Sequence, residues 1–546
     1  MEHGDKSNTD EQICGNGKIS PFREILSQVL ATTAKSTIIL SLGTLLAFPS
    51  VIIPVLLNKH GEETLHIDLE QASWYGAMTF IFQPAGCLLS GALLQSFGCK
   101  NLMILLNLPT LACWIIPYFA SSVFMLYVVS GLAGFVIGLM EAPTVRYIGE
   151  IAHPSLRSIL TTYSQIYISV GGILVHFLGS LMYWRHVSLI CASVPIICSI
   201  ALIAVPETPM WLMSKGCSEE ALKSLQWLRG WTSANNVKEE FYKLEIYAKK
   251  KKVEENLHGY TQEVDTRDEE RPPSTQPAIK GEDPQNGAPR EKIVLESSPK
   301  IGIDGKEYYQ DRTFAEKWQD LTRHETIIAV LKCSLLFTAS TSIGVIPVRP
   351  FIIRIYQLLR IPMDANRFSA LLSMVHMVST ISFVFILKWV GKRRMLLSSS
   401  TLSALCLVLL GLLIRGFYAS LVEDSVYGSS ATGWSIISLF VLHSITGSPA
   451  SAITWIYLSE ILPFKGRGIT TGVVVSYYYL IIFVAVKLYP TMEEGLGVHG
   501  IFLSYGVVSI VAISLMYFVI PETEGKFLAD IESEFIHKSD KSNGKV

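Results

Sequence analysis

The sequence predicts an all-α membrane protein with twelve transmembrane helices arranged as two sets of six. Only 17% of the 546 residues are charged, whereas a soluble domain has roughly 25%. The apolar residues are collected in blocks long enough to cross about 30 Å of hydrocarbon as helices. A long polar stretch divides these blocks into two equal groups, and short motifs of the first group recur in the second.

A window of about 19 residues locates the individual spans. The first six lie near 36–57, 73–94, 101–119, 123–143, 161–181 and 187–205. The second six lie near 326–347, 366–387, 395–415, 434–456, 468–490 and 499–520. Each block is predicted to be a helix, because in lipid only helices and closed barrels satisfy their own backbone hydrogen bonds.

These spans divide the chain into five regions. They are a polar tail over 1–35, a six-helix half over 36–205, a middle loop over 206–325, a second six-helix half over 326–520 and a tail over 521–546. The first tail has no apolar core followed by a small-residue cleavage site, so no cleaved signal peptide is expected.

Lys and Arg side chains indicate the orientation. They are more frequent in the loops that are cytoplasmic if the amino terminus is inside, as at Lys100 and Arg394, although Arg349, Arg354 and Arg360 oppose this bias. We therefore expect a multi-pass plasma-membrane protein with both termini in the cytoplasm.

The middle loop has two parts of different composition. A helix-like segment over 218–252 ends in four lysines. The following residues, 254–312, are rich in Pro, Gly and charge, and such a segment cannot bury enough apolar surface to offset its chain entropy. The sequence predicts disorder there.

Charge and cysteine usage exclude several classes of protein. With 45 Lys and Arg against 46 Asp and Glu, the net charge is -1, so a nucleic-acid partner is not expected. The nine cysteines form no CxxC pair, so neither a disulfide framework nor a zinc site is predicted. No catalytic arrangement or phosphate loop is apparent. We expect no enzyme activity, no metal and no cofactor.

Three motifs recur in the two halves. YIGEIAHPSLRS at 147–158 is echoed by YLSEILPFKGRG at 457–468, PETPMWL at 206–212 by PETEGKF at 521–527, and GCK at 98–100 by GKRR at 391–394. In both copies of the first motif an Arg follows a Glu by seven residues, which gives Glu150 with Arg157 and Glu460 with Arg467.

The charged members of these motifs are predicted to act as gates. All lie at cytoplasmic helix ends, where half-exposed ion pairs form and are broken by water when helices part. The predicted gating residues are Glu150, Arg157, Glu207, Arg393, Glu460, Arg467 and Glu522. The alternative is that these charges only anchor helix ends at the headgroups.

With these motifs the chain resembles the sugar porter branch of the major facilitator superfamily. The extended first outer loop and QASWYGA at 71–77 are most similar to the insect facilitated trehalose transporters. The resemblance implies the major facilitator fold of two six-helix bundles, a central cavity and alternating access. It also implies that Gln165 and Trp455 bind solute. Thr338, Ala339 and Gly344 replace amides that the family uses for sugar binding, and His376, Thr454 and Tyr478 are further departures.

Polar side chains also follow one face of several spans. The fifth span carries Gln165, Ser169 and His176 at helical spacing, and the seventh, eighth and tenth spans show similar stripes. Such stripes face a water-filled path or another helix. The predicted solute-binding residues are Gln165, Ser169, Thr338, Thr341, His376, Thr454, Trp455 and Tyr478. For Trp455 the alternative is a tryptophan of the interfacial belt.

These observations favour facilitative transport of a sugar, either a monosaccharide or trehalose. The alternatives are a transporter-derived solute sensor and a carrier of another small polar solute. The first span contains no Asp or Glu, so passive uniport is expected. Glu141 lies within the fourth span, and Arg146 near its end is a candidate partner.

Overall fold

The computed structural model describes residues 21–59, 63–152, 157–246, 324–344, 346–422, 429–462 and 467–520. The disorder predicted for 254–312 therefore falls outside the described residues, as do both tails apart from the helix that begins at Pro21.

Nine labelled helices form the first half and the start of the middle loop. They are α1 (Pro21–Leu57), α2 (Leu69–Phe97), α3 (Cys99–Tyr118), α4 (Val123–Ile151), α5 (Arg157–Leu181), α6 (Trp184–Cys191), α7 (Ser193–Ile203), α8 (Pro209–Ser214) and α9 (Ser218–Leu228). A further helix covers 234–246.

The second half is built in the same manner. It contains α10 (His324–Ile343), a 3-10 helix (Ile346–Phe351), α11 (Ile352–Leu358), α12 (Ala365–Val390), α13 (Lys392–Val422), α14 (Ser429–Ile461) and α15 (Arg467–Val519).

Twelve crossings follow from these helices. In the described part of the chain, eleven helical segments are long and apolar enough to cross a membrane. The last of them is broken at Gly497, where φ is 66°, and its 50 residues are more than twice the length that crosses about 30 Å. This segment therefore makes two crossings, and the total of twelve agrees with the sequence prediction.

Two predicted boundaries are wrong. Helix α1 begins at Pro21, not at residue 36, because the polar residues before the apolar block are buried: Lys35 is 1% exposed and donates to Ser164 Oγ over 3.0 Å. The helix-like segment at 218–252 is broken after α9, where Gly230 and Trp231 have φ values of 83° and 55°.

Within each half, certain pairs of helices pack against each other. In the first half α2 packs on α4 and α1 on α5, and in the second α13 packs on α15 and on α14. The two halves meet where α2 packs on α15, α5 on α12, and α1 on the 3-10 helix.

The internal repeat is visible in the backbone. Gly98 ends α2 and Gly391 ends α12, with φ values of 83° and 82°, so each repeated glycine makes a one-residue junction to the next helix. Glu150 and Glu460 stand one residue before the ends of α4 and α14.

Among the described residues, several side-chain contacts between the halves lie at one end. We name the end that carries residues 58–68 the outer end, and the end that carries Gly98 and Gly391 the inner end, following the predicted orientation. At the outer end Lys487 Nζ donates to Ser73 Oγ over 3.1 Å and lies 4.2 Å from the ring centroid of Trp74. The Trp74 ring is 6.2 Å from that of Phe483.

The start of the middle loop is attached to the first half at the inner end. Ser27 Oγ donates to the carbonyl of Leu228 over 2.9 Å, and Arg229 Nη1 donates to the carbonyl of Ile151 over 3.4 Å. Arg229 also pairs with Glu240 over 2.6 Å. Helix α9 is thereby held against α1 and α4.

Candidate functional site

Three aromatic rings from three helices of the second half form one cluster. The centroid of Phe337 lies 5.1 Å from that of Trp455 and 4.8 Å from that of Tyr478, and Trp455 and Tyr478 are 5.9 Å apart in an edge-to-face arrangement. Trp455 is half-buried and Tyr478 is buried. The indole is therefore part of the protein interior and not of an interfacial belt.

Apart from Tyr478, which is buried in the aromatic cluster, the predicted binding residues divide into two groups. Ser169, Thr341 and Thr454 are buried, and each hydroxyl donates to the carbonyl four residues earlier in its own helix. Gln165, Thr338, His376 and Trp455 keep part of their side chains accessible. The second group is the one available to a solute.

Thr338 connects α10 to α15. Its hydroxyl donates to the carbonyl of Ser334 over 2.9 Å and lies 3.1 Å from the Tyr477 hydroxyl. Because Tyr477 is 39% exposed, this pair of hydroxyls is accessible to water.

The polar stripes of α5 and α12 face each other across the two halves. A Cβ added to Gly172 would lie 3.6 Å from Ser373 Oγ. Ser373 donates to the carbonyl of Ser369 over 2.9 Å, and Thr380 Oγ1 lies 2.6 Å from Ser448 Oγ. Much of each stripe therefore serves helix packing.

Three histidines lie deep between the helices. His176 Nε2 is 3.0 Å from Ser50 Oγ, and His443 Nδ1 is 2.9 Å from Ser403 Oγ. These bonds fix the orientation of both rings. The ring of His376 makes no hydrogen bond to any residue in the described part of the chain, and it is half-buried.

The sequence predicts that Arg349 lies just beyond the seventh span, in an outer loop, whereas the structure places it in a helix. Arg349 lies in the 3-10 helix, within a segment that runs from Thr326 to Leu358 and is long and apolar enough to cross a membrane. The sequence contained an indication of this arrangement. Pro347 and Pro350 interrupt the seventh apolar segment. A span interrupted by proline is typical of binding sites in transporters.

Glu141 connects the halves instead of pairing with Arg146. Its carboxylate accepts hydrogen bonds from the Tyr479 hydroxyl, 3.2 Å from each oxygen, and from Cys87 Sγ over 3.1 Å. The predicted partner, Arg146, pairs with Glu150 one turn later in α4, with 2.5 Å between Nε and Oε1. Tyr479 belongs to α15, so this hydrogen bond crosses from one half to the other.

In the first half, the predicted gating residue Glu207 lies at the inner end of α3. Glu207 accepts hydrogen bonds from the backbone amides of Lys100 and Thr208, both over 2.8 Å, and from that of Asn101 over 3.4 Å. Burial raises the pKa of the Glu207 carboxyl, and the amide hydrogen bonds oppose that shift. Glu207 thus caps the first turn of α3.

In the second half, the charged residues of the repeated motifs contact residues of the same half. Glu460 Oε1 is 2.6 Å from Lys392 Nζ. Arg393 donates to the carbonyl of Tyr517 over 2.7 Å and lies 5.7 Å from its ring centroid. The side chains of Arg157 and Arg467 are not among those described, although each residue begins a helix, and Glu522 lies outside the described residues.

A family model described as sugar (and other) transporter matches residues 41–268 and 302–535. The chain belongs to the sugar transporter family. Membership in this family confirms the predictions of a multi-pass membrane transporter and of a chain that is not an enzyme. The matched residues lie in both halves of the chain.

Individual relatives resemble the chain along nearly its whole length. A facilitated trehalose transporter of Apis mellifera ligustica is 26% identical over 520 residues, which cover 95% of this chain and 90% of that protein. A facilitated trehalose transporter of Aedes aegypti is 24% identical over 513 residues, which cover 94% of this chain but 55% of that longer protein.

The solved structures show the fold. The E. coli xylose transporter XylE in a partially occluded inward open conformation superposes with a TM-score of 0.64 at 15% identity, over 92% of this chain and 100% of that one. This match confirms the major facilitator fold that the sequence predicts.

Proposed function

We propose that this protein is a facilitative carrier of a sugar, trehalose or a monosaccharide, that works by alternating access in the plasma membrane with both termini in the cytoplasm. The family supports a sugar as solute, and the names of the relatives add trehalose. Contacts that join the halves at one end, as at Lys487 and Ser73, are what a carrier open to one side at a time requires.

The aromatic cluster of Phe337, Trp455 and Tyr478 is the observation that carries this proposal. An indole edge and face suit the apolar side of a pyranose ring, and nearby hydroxyls and imidazoles suit its polar rim. Thr338 and His376 offer such groups on accessible side chains. Gln165 is accessible on the opposite half, so a solute bound between them would contact both halves.

Uptake into proteoliposomes tests the proposal. The purified protein should raise uptake of labelled glucose or trehalose above that of empty liposomes. Trp455→Leu should lower uptake about tenfold, the loss expected for one good aromatic contact of about 1.4 kcal/mol. Trp389→Leu is the matched control, because Trp389 is 91% exposed and should leave uptake unchanged. Uptake at the level of empty liposomes for every labelled sugar would reject the proposal.

The orientation has a separate test. An epitope tag placed at either end of the chain should bind antibody only after the plasma membrane is permeabilised. Binding to intact cells would reverse the proposed orientation.

A further inference from the structure

The seventh span places an arginine between the two halves. The 3-10 helix that carries Arg349 packs on the first half, where a Cβ added to Gly76 of α2 would come within 2.9 Å of Pro350 Cβ. On the other side Phe351 stacks on Tyr489 of α15, with ring centroids 3.9 Å apart and an interplanar angle of 5°. Both neighbours of Arg349, Val348 and Pro350, are buried. The backbone at Arg349 is therefore held firmly from both halves.

Arg349 lies near side chains of four helices. They are His176 of α5 in the first half, and His376, His443 and Tyr478 of α12, α14 and α15 in the second. The side chain of Arg349 is nevertheless exposed to solvent. A side chain that is both surrounded by four helices and exposed lies in an internal, water-accessible cavity.

This positive charge has no counter-ion among the described residues. Two neighbouring arginines of the outer end do have carboxylate partners, Arg185 with Glu63 at 3.1 Å and Arg354 with Glu493 at 2.8 Å. Arg349 forms no ion pair or hydrogen bond within the described part of the chain. The carboxylate of Glu141 is already engaged by Tyr479 and Cys87.

Among the described residues, the titratable side chains near Arg349 are three histidines and Tyr478, and none of these is a carboxylic acid. Ser50 and Ser403 hold the rings of His176 and His443, while the His376 ring makes no hydrogen bond to the described residues. A guanidinium stays protonated and presents five N–H donors in a planar fork that matches a carboxylate or a phosphate. A neutral sugar would leave its charge uncompensated in a cavity from which the solute displaces water.

We infer that the solute carries an anionic group, a carboxylate or a phosphate, that binds Arg349 while the rest of the molecule contacts the aromatic cluster. This rests on the proposed function, and it narrows the substrate class to an acidic derivative of a sugar or a polyhydroxylated acid of similar size. His376 is placed to donate a second hydrogen bond to the same group.

A comparison of neutral and anionic sugars tests the inference. Binding to the full-length protein is measured by intrinsic tryptophan fluorescence for glucose, trehalose, glucuronate and glucose 6-phosphate. Glucuronate or glucose 6-phosphate should bind at least about tenfold more tightly than glucose, as expected for one charge-assisted bidentate pair. The two anions distinguish a carboxylate from a phosphate. Equal or tighter binding of glucose or trehalose would overturn the inference.

Variants of Arg349 test whether this residue causes the preference for an anionic sugar. Arg349→Gln should abolish the preference for the anion, whereas Arg349→Lys should retain part of the preference, since it keeps the charge and loses the fork. Arg360→Gln, at an exposed arginine, is the control and should bind as the wild type does. An anion preference that survives in Arg349→Gln would overturn the inference. If Arg349→Gln does not fold, Arg349→Lys and the wild-type probes decide.

Uptake separates this inference from the proposed function. In proteoliposomes clamped with potassium and valinomycin, uptake of the preferred anion should respond to the sign of the membrane potential, because each cycle moves a net charge. Uptake of glucose by wild type and Arg349→Gln alike, without anion binding, would reject the inference and leave the carrier function intact. Tight anion binding without uptake of any probe would reject the carrier function and leave the site intact.

Discussion

At the scale of single residues, Glu150 and Glu460 occupy equivalent positions and have different partners. Glu150 pairs with Arg146 in its own helix, and Glu460 pairs with Lys392 of α13 in its own half. Partly exposed pairs of this kind contribute about 0–1 kcal/mol. They can therefore exchange partners at little cost when the halves move.

We predict that Glu150, Arg157, Glu460 and Arg467 stabilise the outward-facing state by pairing across the two halves at the inner end. Glu460→Arg should lower the transport rate and make cysteines introduced at the inner end more reactive toward an impermeant maleimide. Glu239→Arg is the control, since Glu239 pairs with Lys243 in an exposed surface position. Unchanged rate and unchanged reactivity in Glu460→Arg would contradict this role.

We also predict passive uniport. The first span has no acidic residue, but the structure adds Glu141 to the groups that a test must include, because its carboxylate lies between the halves. At a clamped membrane potential, an inward proton gradient should leave solute accumulation at the equilibrium level in both wild type and Glu141→Gln. Accumulation above that level, abolished by a protonophore and by Glu141→Gln or His376→Gln, would show proton coupling instead.

Sequence alone predicted some members of the candidate site and did not predict others. Trp455 and Thr338 were predicted from motif and helical spacing, which depend only on neighbours along the chain. Arg349 was missed because two prolines interrupt its span and make it look like loop. The contact between Glu141 and Tyr479 joins residues 338 positions apart, and no local pattern reports such a pair.

At the scale of helices, glycines allow α2 and α4 to pack closely. A Cβ on Gly138 would collide with the carbonyl of Gln83 and lie 2.9 Å from the amide nitrogen of Cys87. Small residues at such contacts let helix backbones approach each other in lipid.

Gly138→Ala should therefore destabilise the protein by about 1–3 kcal/mol, the usual cost of overpacking. The measurement is the thermal unfolding midpoint in detergent. Gly149→Ala is the control on the same helix, because a Cβ there would have no neighbour within 4 Å. Equal midpoints for the two variants would show that α2 and α4 separate without cost.

Lys487 is predicted to stabilise the closed outer end. Its ammonium contacts Ser73 and Trp74 of the other half and lies 3.8 Å from Glu70. Lys487→Met should increase the labelling of an introduced cysteine in the cavity by an impermeant reagent from outside, by about two- to tenfold for the loss of about 0.5–1.5 kcal/mol. Lys59→Met, at an exposed lysine of the same end, is the control. A decrease in outside labelling would contradict the prediction.

Span positions were predictable because each depends on a run of apolar residues, and all twelve were found. The ends of the helices were less predictable from the sequence. Helix α1 extends beyond its apolar block to Pro21 because α5 and α9 cover its polar residues, and tertiary contacts of that kind leave no periodic signal in the sequence.

At the scale of the whole molecule, the two halves are similar bodies joined by a chain segment whose described beginning is attached to the first half. Helix α9 is bonded to α1 and α4 of the first half. The composition of 254–312 argues against a packed core.

Replacing 254–312 by a short Gly/Ser bridge should leave folding and uptake within about twofold of wild type, because a segment without a core adds no packing. Size-exclusion chromatography and proteoliposome uptake measure both. A matched deletion of 218–246, which removes α9, should by contrast reduce the yield of folded protein. Loss of monodisperse protein on removal of 254–312 would assign that segment a structural role.

The place where α9 begins offers a way to observe transport in single molecules. Of the eight cysteines in the described part of the chain, Cys217 is exposed and the others are buried or half-buried, so a maleimide dye should react with Cys217 first. In a Cys14→Ser background, that dye would move as a rigid label with the first half. With a second dye on the other half, resonance energy transfer would then report the angle between the halves. The buried cysteines would not have to be replaced.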